Sequence, residues 1–169
     1  MTTALVVIDV QTSLVEEGVW EAEAILGRIA RLVAQARAAG APIFFVTDRR
    51  VEPDGSIHPS LDVSPGDAIV SKGFCDSFLE TELDEVLRAK GVRRIVIGGM
   101  QTDYCVDTTC RRAVSLGYDV VLVSDAHTTL DQELLTASQI VDHHNRILQD
   151  FPGGSASVRV VPSGQVAFI

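Results

Sequence analysis

Apolar residues along this chain fall into two kinds of pattern. Short unbroken runs rich in Val and Ile alternate with longer stretches in which apolar positions recur every three or four residues. The runs "ALVVID" (4–9), "APIFFVTD" (41–48), "AIVSK" (68–72), "RRIVIGG" (93–99), "DVVLVSD" (119–125) and "SVRVVP" (157–162) read as six strands. Residues 21–40 carry helical spacing, with Ile25, Ile29, Leu32 and Val33 on one face and Gly40 as a stop. Residues 77–91 read as a second helix opening on Ser77 as N-cap, with Glu80 three positions on. Helices are also predicted over 105–117 and 135–151. Residues 49–68 contain Pro53, Gly55, Pro59, Pro65 and Gly66 and read as a long loop, of a length that often serves function in a compact domain. Strands without apolar–polar alternation are buried on both faces. With the alternating strand–helix order, this predicts an α/β fold: a three-layer α/β/α sandwich around a six-stranded, parallel, doubly wound (Rossmann-like) sheet.

Composition narrows the function without naming it. The length, 169 residues, suits one domain. The longest apolar runs are far too short to span a bilayer, and "MTTALVVIDVQ" lacks the basic start of a signal peptide, so no membrane and a cytoplasmic location are the expectation. Fourteen Lys and Arg against 23 Asp and Glu give a net charge of −9, which argues against a nucleic-acid partner. Three cysteines, Cys75, Cys105 and Cys110, without CxxC spacing do not make a disulfide framework. "DHHN" (142–145) puts two histidines side by side, about 100° apart on a helix, where they do not share a metal.

In a doubly wound sheet, ligands bind beyond the carboxyl ends of the strands. Asp9 ends the first predicted strand, Asp48 the second, Lys72 the third. "GGMQTDYC" follows the fourth, and Ser124, Asp125 and His127 end the fifth. A carboxylate, an ammonium and a thiol on one sheet edge are the material of an activated-cysteine site. A helix N-terminus and a lysine beside Cys105 are expected to lower its pKa, and Asp9 to accept the thiol proton. Each residue alone also has a structural reading: turn carboxylate, edge lysine, buried small thiol.

"ALVVIDVQ", "SKGFCDSF" and "GGMQTDYCVDTTCRRAVSLGYDVVLVSDAHTT", in that order and spacing, resemble the isochorismatase-like cysteine hydrolases across nearly the whole chain. The resemblance implies a catalytic triad of Asp9, Lys72 and Cys105, a cis peptide at Met100–Gln101, and an oxyanion hole from the N–H groups of Gln101 and Cys105. It also implies a homodimer or higher homo-oligomer. The chemistry expected is hydrolysis of a C–N bond in a small molecule through a thioester on Cys105. Alternatives are an isochorismatase-type vinyl-ether hydrolase and a catalytically silent binding module. Nicotinamidases of this kind carry an Asp-x-His metal cluster after strand two; here "TDRRVEPDG" has Arg49 and Arg50 instead, so no metal and no cofactor are expected. Candidate substrate contacts are Gln11, Trp20, His58, Phe74 and Tyr104, each with a competing local or packing role. His127 is read as a local hydrogen-bonding residue, and Cys75, near the pocket rim, as a structural thiol like Cys110.

Overall fold

The computed structural model of the protein describes residues 2–169. Its centre is the strand β1 (Thr2–Ile8), buried from its second residue onward. Ala4, Val6 and Ile8 face one side of the sheet and Leu5 and Val7 the other. β2 (Ile43–Asp48) and β3 (Ala68–Lys72) extend the sheet from one edge of β1. β4 (Val92–Met100), β5 (Asp119–Thr128) and β7 (Ala156–Val161) extend it from the other. The order is β3-β2-β1-β4-β5-β7-β6, with every pairing parallel except that of β6 (Pro152–Gly153) with β7. The six expected parallel strands are therefore present, and a two-residue antiparallel strand makes a seventh.

Helices cover both faces. α2 (Ala22–Ala38) buries Ile25, Ile29, Leu32, Val33 and Ala36 against Leu5, Val7 and Phe45. On the opposite face, α3 (Leu83–Ala89) and α4 (Asp107–Ser115) bring Leu83, Leu87, Cys110, Ala113 and Val114 onto Ala4, Val6 and Ile97. α1 (Thr12–Glu16) is a short turn after β1, and α5 (Ala137–Leu148) starts on a capping box between Thr136 and Gln139. Among the described residues, no helix is long and apolar enough to cross a membrane.

Two helix starts differ from the sequence reading. α3 begins six residues after Ser77. Glu80 takes a φ of +54°, which an α-helix cannot contain, and the Ser77 hydroxyl is instead buried against that of Thr109 at 2.8 Å. The helix expected from Cys105 starts earlier, as a π-helical turn over Thr102–Val106, and becomes α-helical only at Asp107. Single π-turns of this kind are frequent at functional sites.

Strand order reverses between β1 and β4, which run side by side but lead their chains to opposite flanks. Gly99 makes that pairing tight: its φ is +130°, and a Cβ there would overlap the Ile8 carbonyl. The residues after β1 and after β4 are thereby pressed together at the carboxyl edge.

Candidate active site

Asp9 leaves β1 with φ +51°, a left-handed conformation that an Asp tolerates better than most residues, and its N–H remains bonded to Val46 at 2.9 Å. The backbone turns at once and points the carboxylate back over the sheet edge. Lys72 is the last residue of β3. It is fully buried, and its Nζ lies 2.7 Å from Asp9 Oδ2, 3.1 Å from Asp48 Oδ2 and 3.2 Å from Cys105 Sγ. Sequence reading placed Asp9, Lys72 and Cys105 at one edge; the structure brings all three into contact around one ammonium.

A buried ammonium is tolerable only if paired. Burial pushes the Lys72 pKa down, but Asp9, Cys105 and Asp48 hold it above the ordinary lysine value, so it stays charged. Asp48 is in turn held by Arg50, which donates Nη2 to Oδ2 at 2.6 Å, Nε to Oδ1 at 2.9 Å and its backbone N–H to Oδ1 at 2.9 Å. Burial raises the Asp48 carboxyl, yet Arg50 and then Lys72 outweigh it and keep the group well below the usual carboxylate range.

Asp9 behaves differently. Desolvation dominates, Lys72 offsets only part of it, and the pKa is pushed up to about 6. Its second oxygen, Oδ1, is buried with no hydrogen-bond partner among the described residues. One oxygen of Asp9, one of Asp48 and Cys105 Sγ all lie within 4.8 Å of one another. Cys105 is 8% exposed. Burial, followed by the Asp9 charge, raises its thiol pKa, and the lowering by Lys72 does not win. Burial and the Asp9 charge thus act against the expected lowering of the thiol pKa and favour a protonated Cys105 beside Asp9. Those three ligand-type atoms are the nearest thing to a metal set among the described residues, but the Lys72 ammonium already stands where a cation would.

The Met100–Gln101 peptide is cis, as the resemblance implied, and Glu52–Pro53 is a second cis bond. The Gln101 N–H has no acceptor among the described residues and sits at the start of the π-turn carrying Cys105. That turn is braced from behind. The Thr102 hydroxyl and the Nδ1 of His127 lie 2.9 Å apart, and His127 Nε2 is 2.9 Å from Asn145 Oδ1. The Asn145 oxygen accepts from Nε2–H, which leaves Nδ1 to accept from Thr102. Thr129 donates to Asp103 at 2.7 Å. His127 is fully buried and, by that burial first, its pKa is lowered to about 4, so it is neutral here.

A cavity of about 590 Å³ opens over Cys105, lined by Asp9, Leu14, Glu17, Asp48, Arg50, Val51, Glu52, Cys75, Gln101, Tyr104 and Cys105. Of the candidate substrate contacts, only Tyr104 lines it. Gln11 is fully engaged elsewhere. It accepts from the Asp48 N–H at 2.8 Å and donates to the carbonyls of Asp48 at 3.0 Å and Gly55 at 2.7 Å, tying β2 and the 49–67 loop to β1. Trp20 is held by its backbone to Thr128 and Thr129, and His58 bonds Ser60. Phe74 is exposed. None of these three borders the cavity of the single chain. Sequence reading missed the Asp48–Arg50 pair as part of the site, along with Glu17 and Glu52. Asp48 carried a signal, since it ends a strand, but its contact with Lys72 depends on β2 and β3 being neighbours.

A doubly wound sheet with a lysine-bridged aspartate and cysteine at its switch point defines a class of α/β proteins with a candidate site at the carboxyl edge of the sheet. The pattern of the isochorismatase domain family matches residues 3–143. A streptothricin hydrolase of Streptomyces noursei is 37% identical over 138 residues, covering 76% of this chain and 50% of its own length. A ureidoacrylate amidohydrolase of Agrobacterium fabrum is 34% identical over 87 residues, 52% of this chain and 38% of its own. A crystal structure of an isochorismatase family protein superposes with a TM-score of 0.86 at 30% identity, covering 94% of this chain and 97% of the other. The chain belongs to the isochorismatase family. It spans about half the length of the streptothricin hydrolases it matches.

Proposed function

We propose that the chain is a cysteine hydrolase that cleaves a C–N bond of a small amide-type substrate through a thioester on Cys105. The observation that carries this reading is the buried Lys72 ammonium, 2.7 Å from Asp9 and 3.2 Å from Cys105, both of which line an open cavity. Asp9 Oδ1 takes the thiol proton as Sγ attacks the substrate carbonyl carbon. Lys72 stabilises the thiolate as it forms and fixes Asp9 through its other oxygen. The oxyanion rests on the N–H groups of Gln101 and Cys105. Asp9 then protonates the leaving nitrogen, the C–N bond breaks, and an acyl thioester remains. Water gives a proton to Asp9 and attacks the thioester, and collapse expels Cys105 thiolate, which recovers that proton. Relatives named for streptothricin and ureidoacrylate hydrolysis support an amide-type bond.

The test is a panel of amides, ureido acids, lactams and isochorismate, assayed with the wild type, Cys105→Ala and Cys105→Ser. The expected result is hydrolysis of at least one C–N substrate, loss of turnover in both variants, and an acyl adduct on Cys105 by intact mass. Turnover of isochorismate alone, or hydrolysis that survives Cys105→Ala, would sink the proposal.

A further inference from the structure

We propose that the substrate carries a cationic group, a primary ammonium or a guanidinium, which the mouth of the cavity recognises through Glu17 and Glu52. This rests on the hydrolase reading of the same site and deepens it. At and behind the Asp9–Asp48 wall of the cavity the charges cancel in pairs. Lys72 contacts Asp9 and Asp48, and Arg50 clasps Asp48 through two side-chain nitrogens, so two cations face two carboxylates. The Arg50 guanidinium also lines the cavity, and alone it would suggest an anionic ligand. Its bidentate commitment to Asp48 removes that attraction.

What remains is the rim. Glu17 at the end of the turn after β1 and Glu52 on the 49–67 loop both line the cavity. Both are exposed, and neither forms an ion pair among the described residues. The cavity lining therefore includes two carboxylates without an ion-pair partner among the described residues, together with Leu14, Val51 and Tyr104. Below them, Asp9 and Cys105 line the same cavity. A ligand that satisfies this arrangement brings positive charge to the rim, an apolar or aromatic stem past Leu14 and Tyr104, and its scissile carbonyl to Cys105. An anionic substrate would meet Glu17 and Glu52 on the way in. The net charge of −9 adds a long-range field of the same sign.

The experiment measures the cavity's electrostatic preference separately from catalysis. Cys105 is modified with three methanethiosulfonates sharing one warhead: an ethylammonium, a neutral methyl and an ethylsulfonate reagent. In each case the thiolate displaces methanesulfinate and forms a mixed disulfide. Rates at Cys105, read by peptide mass and normalised to those of a free thiol, are compared in wild type and E17Q/E52Q. The expected result is about a 10-fold preference for the ammonium over the sulfonate reagent in wild type. E17Q/E52Q should cut that preference several-fold and leave the neutral reagent unchanged, and 1 M salt should do the same as the double substitution. A preference for the sulfonate reagent, or a preference that E17Q/E52Q leaves intact, overturns the proposal. In parallel, amides bearing a free ammonium are compared with their N-acetylated counterparts. The cationic member should show the lower KM, and E17Q/E52Q should raise that KM with little change in kcat. If no amide turns over while the labelling preference holds, the hydrolase reading fails and the cationic-ligand site stands. If amides turn over without the charge preference, the reverse follows.

Discussion

Asp9 carries the conflict on which the site depends. As a base it must ionise, yet burial favours its neutral form and lifts its pKa from 3.8 to about 6. Below that value Asp9 holds a proton and has no free acceptor for the thiol, so kcat/KM for any substrate should fall on an acid limb centred near pH 6. Stability moves the opposite way. A carboxyl whose folded pKa is raised favours folding while protonated, and that contribution is lost as pH rises from about 4 to 6. Asp9→Asn should therefore be inactive, and its stability relative to wild type should be higher at pH 8 than at pH 4. The difference between the two proteins in thermal unfolding isolates Asp9, because the depressed His127 pKa, about 4, makes both proteins lose stability as pH falls below about 6.5. Lys72→Met removes the ammonium between Asp9 and Asp48 and leaves Asp9 with no cation, while Arg50 stays on Asp48. It should cost about 3–5 kcal/mol at pH 8 and less at pH 5, where Asp9 can protonate. Denaturant midpoints at the two pH values check this.

At the scale of elements, the π-turn and the strand behind it act as one unit. Thr102 is fully buried, and its hydroxyl is the link between that turn and His127 on β5. Thr102→Val keeps the shape but leaves His127 Nδ1 without a donor, a loss of about 1–3 kcal/mol for a buried polar atom. It should also loosen the placement of Cys105 and lower kcat about 10-fold at unchanged acid limb, and Thr102→Ser should restore both. A purely structural role would lower stability without touching kcat. This bracing shows where sequence reading reaches and where it stops. Each of the six parallel strands announced itself as a mainly apolar run, and Asp9, Lys72 and Cys105 were legible because each stands at or just beyond the end of such a run. The π-turn was not, since one inserted residue in a helix leaves the apolar spacing of residues 105–117 almost unchanged. The late start of α3 was hidden for a similar reason: Glu80 is a good helix former by type, and only its backbone conformation excludes it. Gln11 was misread as a substrate contact because its partners, Asp48 and Gly55, lie 37 and 44 residues away, and nothing local reveals them.

At the scale of the whole molecule, one face remains unaccounted for by the fold. Leu134 is 90% exposed, and Leu135, beside it on the segment between β5 and α5, is also exposed. Both line a shallow depression with Asp103, the neighbour of Tyr104 on the π-turn, and Tyr104 is itself half exposed at the cavity mouth. A leucine pair this open, beside an exposed tyrosine on a chain of net charge −9, is costly to leave in water. A second copy of the chain would cover it, as the homo-oligomer implied by resemblance requires. Sedimentation velocity should therefore find a dimer or larger assembly at micromolar concentration. L134D/L135D should shift it toward the monomer without unfolding it, because neither side chain contributes to the buried core. If the second copy completes the cavity, KM should rise in the double variant and depend on protein concentration, while the acid limb set by Asp9 stays near pH 6. A wild type that sediments as a monomer at all concentrations would remove the second copy, and with it the predicted concentration dependence of KM.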